Sequence, residues 1–399
     1  MSQVREQYEA YPYPERDPAD EAKRLVTGSP SHPLEIDHFV FGGQRDWAQP
    51  FRALVAGGGT GDGLIQLAQI LAQAGRPAEI TYLDLSTAAR KVAEARAQAR
   101  KLTNIRFLTG SLLDAPDLGA FDYIDCCGVL HHLPDPAEGF AALRAALAPG
   151  GGMGFMVYAP HGRAGVYPLQ QAFATLLGDM PPAARLKAAR GIMRSVPDAH
   201  PFKRNAIVGD HKDSDAGFYD LLLHSQDRAF SVSELLGVME ATGWRLSGFA
   251  MPALYELERL TDIRIPDHLD AATRMALAEK LRGTIKTHVG YAVASDAPVV
   301  LASGRKLGLI PHIRGIAPQK LAQGIAQGQR IKLPFAGVES HLELGKEIAP
   351  LIGAINGRRS LAEIARAARI DPVGMGALWA RADRELTSWG MLHYSTLLR

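Results

Sequence analysis

An apolar run ends in bare backbone at ALVAGGGTGDG, residues 53–63. Glycines at 57, 58, 59, 61 and 63 let the chain turn sharply and bring N–H groups against a ligand with no Cβ between them. Downstream, short apolar runs at 52–55, 80–83, 105–108, 123–126 and 153–158 alternate with helical stretches at 64–74, 88–101 and 136–146. Asp135 and Pro136 form a cap and first turn for the last of these. This alternation predicts an α/β fold, a doubly wound parallel sheet whose ligands sit beyond the carboxyl ends of the strands. The glycine turn occupies the first such end.

Spacing narrows the ligand. A phosphate loop needs Lys and Ser or Thr after its last glycine, and Gly63 is followed by Leu64 and Ile65. A dinucleotide fingerprint needs GxGxxG, but Gly57 and Gly59 lead to Asp62, and Gly59 and Gly61 lead to Leu64. What remains is a glycine turn followed 23 residues after Gly61 by Asp84, in ITYLDLS, a carboxylate able to take both ribose hydroxyls. An adenosine without a pyrophosphate fits this pattern. The plain alternative is a tight connection with no ligand.

Together with GSLLDAP at 110–116 and CCGVLHHLPDP at 126–136, these motifs resemble the class I S-adenosylmethionine-dependent methyltransferases over about residues 51–295. The resemblance implies a Rossmann-like, seven-stranded sheet and S-adenosyl-L-methionine as cofactor. It implies that Gly57, Gly58, Gly59 and Gly61 run beneath the cofactor, that Asp84 and Leu85 meet the ribose, and that Ser111 and Leu112 meet adenine. Cys127 and His132 then lie beside the methionine part. The acidic residue common before the first glycine of that family is Val55 here.

A second feature is YEAYPYPERDP at 8–18, where each proline pushes its predecessor toward extended geometry. It resembles the YPYP-type leader of a set of bacterial methyltransferases. Residues 1–50 are therefore expected as a strap or lid, with Tyr11, Tyr13 and Arg16 over the cofactor. Within the catalytic domain, 51–296, a helical insertion at 159–229 is expected to build the acceptor pocket. Its polar run GDHKDSDAGFYDLLLH makes His211 and Asp213 catalytic candidates beside Tyr13 and His132, with His211, Asp213, Asp215, Tyr219 and His224 offering bases and hydrogen-bond partners. The spacing of these groups matches no standard metal site, so none is expected.

Ser231-x-x-Glu234 forms a capping box, and the runs 244–250 and 286–294 are the expected last two, antiparallel strands. A linker rich in Gly, Pro and Gln is expected at 297–329, then a small α-rich, winged-helix-like domain at 330–399 with a second capping box, Ser360-x-x-Glu363, and a wing strand at 391–394. This unit resembles the C-terminal unit of some bacterial protein lysine methyltransferases.

From Leu301 onward 14 Lys and Arg stand against 7 Asp and Glu, although the whole chain nets only +2. Nucleic acid is thus one partner open to the tail, a peptide or another subunit the others. The adjacent Cys126 and Cys127 are the only cysteines and suit no structural disulfide, so a reducing cytoplasm is expected. No apolar run is long enough for a membrane span. The expected function is methyl transfer from S-adenosylmethionine to a protein side-chain nitrogen. A small molecule or RNA as acceptor, or a cofactor-binding regulatory module, are the alternatives, and the sequence leaves the oligomeric state open.

Overall fold

A computed structural model describes residues 2–335 and 337–399. Seven strands form one sheet: β1 (Phe51–Ala56), β2 (Ala78–Asp84), β3 (Ile105–Thr109), β4 (Phe121–Cys127), β5 (Leu147–Tyr158), β6 (Trp244–Phe249) and β7 (Thr287–Ala294). Their order is β3-β2-β1-β4-β5-β7-β6, parallel except for β7, which runs antiparallel between β5 and β6. Strand order reverses between β1 and β4, which opens a crevice at their carboxyl ends. This is the expected doubly wound architecture, with each strand close to its predicted position.

Helices α1 (Ser2–Ala10) and α2 (Pro33–Val40) precede the sheet, and α3 (Asp62–Gln73), α4 (Thr87–Ala99) and α5 (Pro136–Ala145) are its crossovers. α3 buries Leu64, Leu67, Ala68 and Leu71 against the sheet, the three-to-four-residue spacing of an amphipathic helix. Asp135 caps α5, its side chain accepting from the Ala137 N–H with Pro136 at the first position, as the sequence predicts. The capping boxes at Ser231/Glu234 and Ser360/Glu363 are both formed.

Residues 297–329 differ from the expected linker. They hold β8 (Pro311–Ile313), paired antiparallel with the last strand, and a helix Pro318–Ala326 that buries Leu321, Ala322 and Ile325. Their glycines and prolines punctuate short elements, and the apolar residues between them join the core of the C-terminal unit. That unit also contains the hairpin β9 (Ile331–Phe335) with β10 (Val338–Leu342), helices Ala349–Gly353, Leu361–Ala367 and Pro372–Ser388, and β11 (Leu392–Tyr394). The strand expected as a wing, β11, pairs with β8.

The C-terminal unit docks on α2 through buried polar groups. Asp37 accepts from Trp47 Nε1 at 2.9 Å, Ser395 Oγ at 2.7 Å and Thr396 N at 3.1 Å, and His38 Nδ1 accepts from the Tyr394 N–H at 3.2 Å. Among the described residues no helix is long and apolar enough to cross a membrane.

Candidate active site

The carboxyl ends of β1, β2 and β4 open into a cavity of about 400 Å³. Its floor is the glycine turn. Gly57 and Gly59 have φ of +75° and +50°, and an added Cβ would come within 2.3 Å of the Val129 side chain or 2.9 Å of the Tyr13 carbonyl oxygen. Glycine is required at both on conformational and steric grounds. Asp84 closes β2 with Oδ2 accepting from the Gly59 N–H and Oδ1 from the Ser86 N–H, both at 2.8 Å. Each oxygen keeps acceptor capacity for a further partner. Burial raises the Asp84 pKa, and these two N–H groups oppose that rise.

The N-terminal leader forms one wall. Val4 and Tyr8, one helical turn apart on α1, line the cavity, followed by Tyr13, Pro14 and Arg16. Thr60 Oγ1 donates to the Pro14 carbonyl at 2.6 Å, and Arg16 binds Asp62 through Nε at 2.9 Å and a terminal nitrogen at 2.6 Å. Asp62 also receives Arg96 at 2.7 Å, and Arg96, only 1% exposed, pairs with Glu21 at 2.6 Å. Arg100 completes the network on Glu21.

His132, Tyr158 and Asp220 form the opposite wall. His132 Nδ1 lies 2.9 Å from the Gln226 carbonyl oxygen, which can only accept, so Nδ1 carries the proton and Nε2 the lone pair. The His132 ring stacks on His224 with centroids 3.8 Å apart. His224 Nδ1 accepts from the Gln226 N–H at 3.0 Å, so its Nε2 holds the hydrogen directed at the Tyr8 hydroxyl, 3.1 Å away. Tyr8 in turn donates to Asp220 Oδ1 at 2.9 Å, and Tyr158 donates to Oδ2 at 3.1 Å. Burial pushes His224 well below the ordinary histidine range and raises Asp220, and the hydrogen bonds from the Tyr8 and Tyr158 hydroxyls oppose that rise.

Asp220, His132 and His224 place ligand-type atoms within 4.8 Å of one another, as do His131, His132 and Asp227. In the first group both Asp220 oxygens and both His224 nitrogens already have hydrogen-bond partners, so the cluster is satisfied as a network of protein groups.

Of the residues the sequence singles out, Gly57, Gly58, Gly59, Asp84, Leu85, Ser111, Leu112, Cys127, His132, Tyr13 and Arg16 line this one cavity. Gly61, Tyr11, His211 and Asp213 do not. Gly61 sits at the N-terminus of α3 with φ +100°, where a Cβ would press on Ala93 of α4. Tyr11 follows the end of α1 and stacks on Tyr219, with ring centroids 4.9 Å apart. His211 and Asp213 lie on the one-turn helix Asp210–Asp213, His211 against Phe202 and Asp213 exposed. The insertion reaches the cavity through Asp220 instead. Tyr8, Asp125, Tyr158 and Asp220 are lining residues not selected from sequence. Of these, Tyr8 and Asp220 carry a readable signal, the spacings Val4 to Tyr8 and Asp220 to His224.

Residues 54–153 match the family profile described as "Methyltransferase domain". The structure is similar to that of PKMT2 from Rickettsia typhi, with a TM-score of 0.64 at 15% identity, covering 94% of this chain and 77% of that one. The complex of the same protein with AdoHcy aligns over 94% and 76%, with a TM-score of 0.57 at 14% identity. Residues 54–153 of this chain thus carry a methyltransferase-type domain.

An uncharacterized protein of Synechococcus sp. is 33% identical over 259 residues, 63% of this chain and 61% of that protein. The ubiquinone biosynthesis O-methyltransferase of Albidiferax ferrireducens is 34% identical over 95 residues, 23% and 36% respectively. The chain thus spans about three-fifths or less of the length of these curated relatives.

The residues lining the cavity fit S-adenosylmethionine. The glycine turn forms a cradle that side chains would fill, Asp84 offers two partly occupied carboxylate oxygens at the end of β2, and Ser111 and Leu112, which follow β3, line the same cavity. The leader's Arg16 adds a guanidinium to the same space.

Proposed function

We propose that this chain transfers a methyl group from S-adenosylmethionine to a nucleophile whose proton His132 removes, best matched by the amine of a protein side chain. When bound, the cofactor supplies a methyl on a sulfonium, already electrophilic, so the protein's tasks are positioning and proton removal. The observation that carries the reading is the Gln226 carbonyl holding the His132 proton on Nδ1, which leaves an unprotonated Nε2 in the cavity that also contains Asp84 and the glycine turn.

The amine follows from the rest of the wall. Tyr8 and Tyr13 line the cavity together with the Asp220 carboxylate, which accepts from the Tyr8 and Tyr158 hydroxyls. Aromatic faces with a nearby anion favour a cationic group, and they hold an ammonium until it gives up its proton. A hydroxyl acceptor is the second reading. It is favoured by the same base and by the name of the Albidiferax ferrireducens relative, an O-methyltransferase.

A cell extract incubated with S-adenosylmethionine labelled in the methyl group, then split into protein, nucleic-acid and small-molecule fractions, tests the assignment. Label that enters protein in the presence of the wild type, and survives alkaline hydrolysis of esters, supports the amine. Label confined to small molecules or nucleic acid rejects it. Absence of label in every fraction leaves the cofactor-binding regulatory module as the reading.

A further inference from the structure

β1 and β4 pair in parallel with Val55 opposite Asp125. Register partners in a parallel ladder point to the same face, so Asp125 lies beside the last residues before the glycine turn, one strand over. It is 1% exposed and lines the cavity; the Ser31 hydroxyl interacts with its carboxylate, but Oδ2 itself has no hydrogen-bond partner. No ion pair among the described residues includes it. Arg16, the guanidinium in the same cavity, is engaged with Asp62. The glycine at the first turn of α3 makes room for this carboxylate, since a Cβ on Gly63 would lie 3.2 Å from Asp125 Oδ2 and 2.5 Å from Ser31 Oγ.

A buried carboxylate with an open oxygen and no cation is costly to fold around, and proteins tolerate such groups where a ligand completes them. We propose that Asp125 binds the α-ammonium of the cofactor's amino-acid part, an inference that rests on the S-adenosylmethionine reading of the cavity. Asp84 and Asp125 stand on the strands flanking β1, about 10 Å apart from strand to strand, with the glycine turn between them. One acid meets the ribose end of the ligand and the other its ammonium end. β1 itself carries no acid to share this task. Burial, which pushes the Asp125 carboxyl up to about 6, adds to the gain on receiving a cation.

The test is calorimetric titration with two probes, S-adenosylhomocysteine and 5′-methylthioadenosine, which keeps the adenosine and thioether but lacks the ammonium. Asp125→Asn is expected to weaken S-adenosylhomocysteine about tenfold to a hundredfold, the range of a charged hydrogen bond, and to leave methylthioadenosine unchanged. An unchanged S-adenosylhomocysteine affinity, or an equal loss for both probes, overturns the proposal while leaving the cofactor reading intact. A wild type that binds neither probe overturns both. Should the variant fail to fold, the wild type decides with the desamino analogue of S-adenosylhomocysteine. It is expected to bind at least tenfold more weakly than its parent, and equal affinity overturns the proposal.

Discussion

His132 Nδ1 and the Gln226 carbonyl oxygen are 2.9 Å apart, and that single contact decides which ring nitrogen faces the cavity as a base. The residue supplying the carbonyl belongs to the insertion between β5 and β6, so the insertion sets the tautomer of a side chain that follows β4. His132→Gln removes the base while keeping a polar group of similar reach. Turnover is expected to fall by about 10²–10⁴-fold, with S-adenosylhomocysteine affinity changing far less. Single-turnover assays on labelled extract, beside calorimetry, separate the two. Parallel losses would move His132 from proton removal to cofactor binding.

Gly59 tests whether the turn is a ligand cradle. With φ +50° and the Tyr13 carbonyl oxygen 2.9 Å from its would-be Cβ, Gly59→Val forces the leader off the loop. Cofactor binding is expected to disappear in calorimetry while thermal stability falls by no more than about 1–3 kcal/mol. Normal binding in this variant would make the turn a simple connection.

The leader is tied down by charge. Glu21 is buried against Arg96 and Arg100, and Arg96 continues to Asp62 and from there to Arg16. Glu21→Gln leaves two guanidinium groups short of their counter-ion, at an expected cost of about 3 kcal/mol. Urea denaturation reads the loss. Limited proteolysis is expected to cut within the leader sooner than in the wild type, and an unchanged cleavage pattern would show that the network does not hold it.

Acid is expected to loosen the docking of the C-terminal unit. His38 is buried with its pKa lowered to about 3 by desolvation, and its Nδ1 accepts the Tyr394 N–H, a bond that only the neutral ring can make. Because the folded pKa lies below the ordinary value of about 6.5, the unfolded chain binds the proton first. Stability is therefore full above about pH 6.5 and lost as the pH falls from there toward 3. His32, His312 and His393 are also pushed below the ordinary range by burial, and Arg314, paired with Glu35, is a nearby cation opposing protonation of His32 and His393. Melting temperatures between pH 7.5 and 5 are expected to drop more steeply for the wild type than for His38→Gln. Equal slopes would remove His38 from the effect.

The sheet was legible in the sequence because each strand and crossover helix carries its own local signal: apolar runs, the Asp135-Pro136 cap, the glycine turn. The ribose acid was legible for the same reason, since Asp84 falls at a strand end at a fixed interval from the turn. Asp125 was hidden inside the apolar run of β4, and only the pairing of that strand with β1 brings it to the cavity. In the insertion, polar density pointed to His211 and Asp213. The residue that reaches the cavity wall is Asp220, near the end of a helix packed in the core, and His224 just beyond it contacts the wall residues Tyr8 and His132 without lining the cavity. Long-range packing selects among local candidates, and no local pattern reports it. Tyr8 shows the same limit: the prolines of the leader drew attention to Tyr11 and Tyr13, whereas α1 ends at Ala10 and brings Tyr8 between His224 and Asp220.

Asp84 carries the central claim, because it is the one carboxylate fixed by two N–H groups at the end of β2 beside the glycine turn. Titration of S-adenosylmethionine into wild type and Asp84→Ala is the direct measurement. The account predicts one site per chain in the wild type and a loss of about 2–4 kcal/mol in the variant, two charge-assisted hydrogen bonds to a ribose. Wild-type affinity in a folded Asp84→Ala variant, or no binding by the wild type, would contradict it.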